Sequence, residues 1–503
     1  MRLTSLIASS DNAQLQGEDR DITGITDDSR KVQPGFLFAA IPGTEQNGQK
    51  FIDDAITHGA AAILIPLARE AGEGGAQSLA SASDWEGEGT LSTITTPHIR
   101  KTLSAIAAKF YPRQPETIVA VTGTSGKTST VQFVREIWQT LGHNSASIGS
   151  FGYITPDEHR YSSINTPDPV TLHAELQEAA DHKITHLAME ASSHGLAMHR
   201  MDGVRMKAAA FTNLSRDHLD YHTTMDEYFT AKQRLFTELL PEGAPAILNA
   251  DAPEFELLTR IANKRKQNII DYGRNGKEIK LLGIEPSTNG QIIRVAIFAQ
   301  KYEILLPLLG EFQTWNALCA LGLVAATGGD VARAAKALEK VSGVRGRLEL
   351  AGRTKNGAAI FVDYAHKPDA LENVLKTLRT YTETRKGAKL GVVFGCGGNR
   401  DKGKRPMMGE IARRLADWVI VTDDNPRHED PATIRKEILA GATLNGHLQE
   451  IGDRAKAISA GIERLKAGDV LIIAGKGHET GQIVGDKTLP FDDADVARQV
   501  LDT

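Results

Sequence analysis

Residues 117 to 138 read TIVAVTGTSGKTSTVQFVREIW, and their types suit the holding of a polyphosphate. An apolar, β-branched run, Ile118 to Thr122, predicts a buried strand. Gly123, Thr124, Ser125 and Gly126 then turn the chain, and Val131, Val134, Ile137 and Trp138 recur on one face of a helix. That order aims backbone N–H groups and a helix N-terminus at an anion. Lys127 adds a point charge for phosphates, and the Thr128 hydroxyl can reach Mg²⁺. The usual phosphate loop would place its first glycine at 121, but that residue is Val121; with Gly123 first, the loop is shorter. The alternative is an ordinary strand–turn–helix with a surface lysine. Lys-Thr after a glycine turn behind a buried strand argues against it.

Other polar clusters follow predicted strands. Asn165-Thr166-Pro167-Asp168 is a loop by composition. The apolar stretch Ile184 to Met189 predicts a strand ending in Glu190, followed by Ala191-Ser192-Ser193-His194-Gly195. A carboxylate at the C-terminal end of an α/β strand sits where ligands bind, and could hold Mg²⁺ opposite Thr128. A capping or salt-bridged glutamate is the other reading. The densest cluster runs from Thr212 through Asn213, Asp217, His218 and Asp220 to His222. It suggests cation or phosphate chemistry, without a zinc signature, since no cysteine accompanies it. Lys232 lies at helical spacing from Tyr228 and Phe236, on their face rather than the solvent face, so it pairs with an ion or binds a ligand.

The C-terminal third repeats the strand-then-polar pattern. Ala359 to Val362 ends in Asp363-Tyr364-Ala365-His366, and Leu390 to Phe394 in Gly395-Cys396-Gly397-Gly398-Asn399-Arg400-Asp401. Trp418 to Val421 ends in Thr422-Asp423-Asp424-Asn425-Pro426-Arg427, and Val470 to Ile473 in Ala474-Gly475-Lys476-Gly477-His478-Glu479. Helical patterns between them predict a doubly wound sheet with ligand groups at the strand C-termini. The Gly395–Gly398 run lacks the dinucleotide order, so no nicotinamide cofactor is expected. Cys396 has no histidine fixed beside it and is read as structural.

The elements that position these groups need several cores. A chain of 503 residues is too long for one, and about three domains are expected. The fold class is α/β, with domains over 1–97, 98–344 and 345–503. In the first, Asp28-Ser29-Arg30 precedes a Pro34-Gly35 turn and a strand-like FLFAAI. Phe51 to His58 predicts a helix and Ala62 to Ile65 a strand. Ser29 and Arg30 could bind an anion, but the capping of a turn is favoured. Residues 68 to 92 read as a surface loop. Pro97 breaks the chain, and a helix with Ile99, Leu103, Ile106 and Phe110 on one face leads into the nucleotide domain. Residues 278 to 309 predict an antiparallel addition to the central sheet.

With 41% hydrophobic and 24% charged residues, the composition is that of a soluble globular protein. A net charge of −5 gives no reason to expect nucleic acid. Cys319 and Cys396 are the only cysteines, so a disulfide framework is not expected and a reducing, cytoplasmic setting is. No leader-like apolar run or membrane span is read.

TGTSGKTS, MEASSHGL and TNLSRDHLDYH, with AKQRLF behind, resemble the Mur ligase family of cell-wall amino-acid ligases. Within it the chain looks most like the ligases that add the third residue of the peptidoglycan stem peptide. The resemblance runs from Asp28 to Glu479. It implies a small N-terminal UDP-binding domain, a central ATPase-like domain with a mostly parallel sheet, and a C-terminal Rossmann-like domain for the amino acid. ATP would be held by Gly123, Thr124, Ser125, Gly126, Lys127, Thr128, Ser129, Asn316, Arg347 and Asp363. Thr128, Glu190, His218 and Lys232, the last carbamylated by CO₂, would hold Mg²⁺. His366 joins Lys127, Lys232, Glu190 and His218 as catalytic. Ser29, Asn165, Thr166, Ser192, Met198 and Arg200 would meet the UDP-linked substrate.

Asp424-Asn425-Pro426-Arg427 resembles the stretch characteristic of ligases that add meso-2,6-diaminopimelate. An arginine fork can clamp the distal carboxylate that lysine lacks. Arg400, Gly475 and Glu479 match the other residues that hold this amino acid. The implied reaction is ATP-dependent ligation of diaminopimelate to the D-glutamate of UDP-N-acetylmuramoyl-L-alanyl-D-glutamate, by a monomer. An L-lysine-adding ligase, a folylpolyglutamate-synthetase-like ligase and a nucleotide-dependent binding protein are the alternatives. Met198, Gln313 and Arg345 depart from the family pattern, which more often has glutamine, asparagine and proline there.

Overall fold

The computed structural model describes residues 1–8, 12–42, 47–67, 91–162, 164–219, 221–287, 290–383, 387–441 and 447–502. Most of the surface-loop reading at 68 to 92, and Asp220 in the densest cluster, lie outside them; Ser92 instead begins a strand, Ser92–Thr96.

Three main sheets organise the chain. In the first, Ser92–Thr96, Ala62–Pro66, Phe36–Ala39 and Gly24–Thr26 run parallel, and Gln14–Gln16 pairs antiparallel with Ser92–Thr96. The helix Ile99–Phe110 was expected to lead into the nucleotide domain. Its apolar face packs on this first sheet, where Ile99, Leu103 and Ile106 join Leu37, Leu64 and Ile94 in one core, while Ser104 Oγ donates to the His199 carbonyl of the second unit, so the helix meets both. Burying those side chains against the first sheet keeps them from water, and the break at Pro97 does not separate them.

The second sheet has eleven strands. At its centre Thr117–Thr122 lies between the parallel strands His186–Glu190 and Met206–Phe211. Val121 pairs with Glu190, and Thr122 with Phe211. That register brings Gly123, Ala191 and Thr212, each the next residue of its chain, to one edge. Strands this apolar need cover on both faces. The helix Lys127–Leu141, with Trp138 buried, covers one face, together with Glu311–Ala326. The expected antiparallel addition is present: Ile279–Ser287, Gly290–Ile297 and Gln300–Leu306 extend this same sheet.

In the third sheet Ala359–Asp363, Val470–Ala474, Leu390–Phe394, Trp418–Val421 and Leu448–Glu450 run parallel, with Glu349–Arg353 antiparallel at one edge. Asp363 and Phe394 both pair with Ala474, and Phe394 with Val421. The four polar motifs read from the sequence therefore leave the sheet at one level. A separate hairpin, Gly481–Val484 with Lys487–Pro490, stands beside them. Among the described residues no helix is long and apolar enough to cross a membrane, and Cys319 and Cys396 are buried and unbridged.

Candidate active site

The phosphate loop is built as a backbone cradle. Gly126 caps the following helix at φ +87°, a left-handed conformation that side chains rarely adopt, and a Cβ there would strike Asn316. Gly123 approaches so close that a Cβ would meet Thr212. The neighbouring strand end then fixes the loop. Thr124 N donates to the Asn213 carbonyl at 2.8 Å, and Ser125 N to Asn213 Oδ1 at 2.9 Å. Thr212 Oγ1 donates to the Ser125 carbonyl at 2.6 Å. Asn213, quoted in the motif but given no role, is thus the residue that sets the loop's shape.

Lysines converge on this loop. Lys127 Nζ donates to the carbonyls of Gly123 and Thr124, both at 2.9 Å, and burial pushes its ammonium down to about 8. Lys232 Nζ donates to the Gly123 carbonyl at 2.8 Å and lies 4.3 Å from the centre of the Tyr228 ring. The side chain is 1% exposed and has no ion pair among the described residues. Burial therefore drives its ammonium well below its usual range. No ion pair among the described residues accounts for Lys232, which leaves its ligand reading. Its helix, Met225–Arg234, widens into a π turn over Leu235–Leu239, so Phe236 stands beyond the regular α turns.

Glu190 ends its strand facing Thr128. Its Oε1 accepts from Thr128 Oγ1 at 2.9 Å and from Ser150 N at 2.7 Å, while its Oε2 is buried without a hydrogen-bond partner. A buried carboxylate oxygen left open beside a hydroxyl fits Mg²⁺, which takes hard oxygen ligands and keeps water or phosphate for its other positions. Among the described residues no group of three His, Cys, Asp or Glu is gathered for a metal, so no all-protein cage is present. His218 adopts φ +54°, with its Nε2 3.1 Å from Asp217 and its ring 4.9 Å from that of His194.

Beyond Glu190, Thr166 is fully buried; its Oγ1 donates to the Glu190 carbonyl at 2.9 Å and accepts from Ser192 N at 3.1 Å. Arg200 donates to the Thr166 carbonyl at 2.8 Å and to Met198 Sδ at 3.2 Å. Ser192 caps a short helix through Gly195 N, and Asn165 is half-buried in the same loop. Asp27 of the first unit feels the charge of Asp168, and Arg200 feels that of both, so this wall joins the first and second units. Ser29 is buried in a 3₁₀ turn capped by Asp28. Arg30 pairs with that same Asp28 at 2.8 Å, as the turn reading expects.

Between the second and third units lies a cavity of about 1180 Å³. Ser129, Asn316, Trp315, Arg347 and Asp363 line it. Asn316 Nδ2 donates to Gln313 Oε1 at 3.0 Å, so the departing glutamine retains an amide role at this wall. Asp363 accepts from Leu348 N at 2.6 Å, and burial pushes its carboxyl up to about 6. The Arg347 guanidinium lies 4.6 Å over Tyr364, and the His366 ring Nδ1 is 2.8 Å from the Tyr364 carbonyl. Arg345, where the family pattern has proline, pairs with Asp492 at 2.6 Å and pins this connection to the third unit.

The third sheet's edge forms the other pocket. Arg427 Nη1 donates to the Gly398 carbonyl at 3.0 Å. Its backbone is held at φ +52° between the Ile483 carbonyl, 3.0 Å away, and Gly485 N, 2.8 Å away, both on the separate hairpin. Asn425 Nδ2 donates to Glu479 Oε2 at 2.8 Å, and Lys476 Nζ bridges Asn425 Oδ1 and Glu479 Oε2, both at 3.0 Å. Asp424 Oδ2 is buried without a partner where a Cβ on Gly475 would strike it. Pro426 is buried and Arg400 exposed at the rim. Burial also pushes the Cys396 thiol up to about 12, in agreement with its structural reading.

Lys476, Ser150 and Lys367 were missed as site residues. Ser150 meets Glu190 from 40 residues away, Lys476 meets Asn425 from 51, and Lys367 meets the Thr124 carbonyl from 243, so local spacing does not signal these contacts; Lys476 reaches Glu479, three residues on, as well.

Three family descriptions match the chain: the Mur ligase family catalytic domain over 21–111, the Mur ligase middle domain over 121–324, and the Mur ligase glutamate ligase domain over 346–477. The chain belongs to the Mur ligase family. Its members are ATP-dependent, amide-bond-forming ligases, and so is this chain. It is 51% identical over 481 residues to the UDP-N-acetylmuramoyl-L-alanyl-D-glutamate–2,6-diaminopimelate ligase of Agrobacterium fabrum, covering 96% of this chain and 93% of that one. It is 50% identical over 506 residues to the ligase of the same name from Rhizobium meliloti, covering 100% and 99%. A solved structure of a ligase of that name superposes with a TM-score of 0.65 at 32% identity, covering 96% of this chain and 95% of that chain.

Proposed function

We propose that this Mur ligase joins meso-2,6-diaminopimelate to the D-glutamate of UDP-N-acetylmuramoyl-L-alanyl-D-glutamate in peptidoglycan precursor synthesis. The carrying observation is the charge layout of the third unit's pocket. Arg427 and the Glu479 carboxylate act on each other electrostatically from one rim, so a distal carboxylate and ammonium would each meet an opposite charge. The names of relatives at 50% and 51% identity over nearly the whole chain support the same substrates.

In this reading the first unit and the Thr166–Ser192–Arg200 wall, with Ser29, Asn165 and Met198, hold the UDP-linked peptide. Gly123 to Ser129 hold the ATP phosphates, and Asn316, Arg347 and Asp363 hold the rest of the nucleotide. A γ-carboxylate oxygen attacks the γ-phosphorus, the bond to the β-bridging oxygen breaks, and ADP leaves with the electron pair. An amine of diaminopimelate then attacks the acyl phosphate, loses a proton, and expels phosphate. The residues contribute mainly position and charge.

Lys127 exchanges its backbone carbonyls for phosphate oxygens. Burial holds the Lys232 ammonium well below its usual range, which favours the amine that reacts with CO₂, and its carbamate would place an anion beside the metal where a buried cation would be costly. Thr128, Glu190, His218 and the Lys232 carbamate would hold Mg²⁺, which supplies charge neutralisation at the phosphates. His366 orients the nucleotide, and closure occurs near Gly346. The protein acts as a cytoplasmic monomer.

Phosphate release with ATP, Mg²⁺ and the UDP-linked dipeptide tests the proposal, with meso-diaminopimelate and L-lysine supplied in parallel. Release with diaminopimelate alone is expected. Release with lysine alone would retain the ligase and discard the role of Arg427, and silence with both would overturn the substrate assignment.

A further inference from the structure

Lys367 follows His366 in the loop between the strand Ala359–Asp363 and the helix Pro368–Glu383 of the third unit. It is 6% exposed, and its ammonium does not stay within its own unit. It pairs with Asp217 of the second unit at 2.8 Å and points at the Thr124 carbonyl, 3.5 Å away. Lys127 and Lys232 donate to the same short stretch of backbone, the carbonyls of Gly123 and Thr124. Lysines from three separate segments thus focus on two neighbouring carbonyls. Lys367 has its counter-ion in Asp217, whereas Lys127 and Lys232 donate to carbonyl oxygens, which are weak substitutes for an anion. The place they surround is the phosphate cradle itself. Among these lysines only Lys367 arrives from across the interface between units.

We propose that Lys367 is a catalytic residue: a cation delivered by the third unit to the γ-phosphoryl group during transfer, with Asp217 as its positioning residue. The inference rests on the ATP-dependent ligase reading. As the acceptor carboxylate oxygen bonds to the γ-phosphorus, the bond to the β-bridging oxygen breaks and the electron pair stays with ADP. Lys367 keeps its proton throughout and neutralises charge on the γ-phosphoryl oxygens, as an arginine finger supplied from outside the loop does. Transfer then depends on the third unit being docked, which restrains loss of the γ-phosphate to water when the units are apart. Asp217 holds the ammonium at the interface before the nucleotide arrives.

The test uses the full chain with Lys367→Met, Lys367→Arg, and Lys367→Met combined with Asp217→Asn. Melting temperature checks folding, and calorimetry gives Kd for ADP and for a β,γ-imido ATP analogue. Lys367→Met is expected to lower kcat about 100-fold or more. It should weaken the analogue about tenfold while leaving ADP unchanged, and Lys367→Arg should regain part of both. The double variant should stay as slow as the single one, because the cation is still missing. Should the double variant recover wild-type turnover, Lys367 serves only to neutralise Asp217 and the proposal is overturned. Equal weakening of ADP and analogue would also overturn it. A wild-type protein that does not turn over with the proposed substrates would defeat the substrate assignment instead; the two nucleotide affinities would still decide the role of Lys367.

Discussion

The phosphate loop and the Arg427 pocket solve the placement of charge in different ways. The loop takes its shape from two strand ends that are neighbours in one sheet, with Asn213 bonded to Thr124 and Ser125. The pocket draws on segments separated by 50 or more residues: Asn425 meets Lys476 and Glu479, and the Arg427 backbone is clasped by Ile483 and Gly485. The first has to present many backbone donors to an anion common to every turnover. The second has to place two opposite charges at a fixed separation for one amino acid. Backbone geometry close to a sheet serves the first need, whereas long-range pairing serves the second and leaves it open to change without disturbing the nucleotide.

The largest effect expected from breaking that division is at Lys232. Lys232→Ala should cut turnover more than about 1000-fold, since carbamate and loop contact are lost together. Activity retained within tenfold would remove Lys232 from the catalytic group.

A pH profile sharpens the loop's side of the comparison. Lys127 is held down to about 8, below the 10.5 of an unperturbed lysine. Both native and unfolded chains carry its proton below pH 8. Between those values the native chain binds fewer protons, so nucleotide-free stability should rise with pH, by on the order of 3 kcal/mol at most from this group. Denaturant melts from pH 8 to 10.5 should show the rise in wild type and a flatter curve in Lys127→Met.

On the other side, Arg427→Ala should raise KM for diaminopimelate about 100-fold with little change for ATP, because one end of the zwitterion loses its partner. An unchanged KM would show that the clamp lies elsewhere. Gly485→Val reaches the same pocket indirectly. Its φ of +58° suits glycine, and straining it should loosen the hold on Arg427, raising the same KM only about threefold. A parallel rise in KM for ATP would contradict the separation of the two regions. Smallest of all, Arg216→Ala removes a half-exposed pair with Asp401, 2.9 Å apart across the units; exposed pairs contribute little, and turnover should change less than about threefold.

Much of this was legible in the chain. Strand-then-polar runs announced four of the third sheet's five parallel strands, because a strand buried on both faces must be apolar to its end and can carry polar groups only beyond it; the short edge strand Leu448–Glu450 has no such run. The glycine turn with Lys127 and Thr128 announced the loop for the same local reason. The helix Ile99–Phe110 was legible as an amphipathic helix, but the first sheet it packs on was not, because such a face shows that a helix packs without naming the sheet. The turn at Asp28-Ser29-Arg30 was readable, since its donor and acceptor lie within two residues, though the cap is Asp28 rather than Ser29 or Arg30.

Sequence alone determined the family, the α/β class and the residue types at each strand end, because period and local turn chemistry are written in neighbouring positions. Tertiary structure decided which of those groups share a site. Register placed Glu190 opposite Thr128, and sheet order set Asp363 level with Ala474 and Phe394. Docking of the third unit brought Lys367 to Asp217, a pairing across 150 residues. The energy of such a contact depends on separation in space, and a linear chain records separation only along itself.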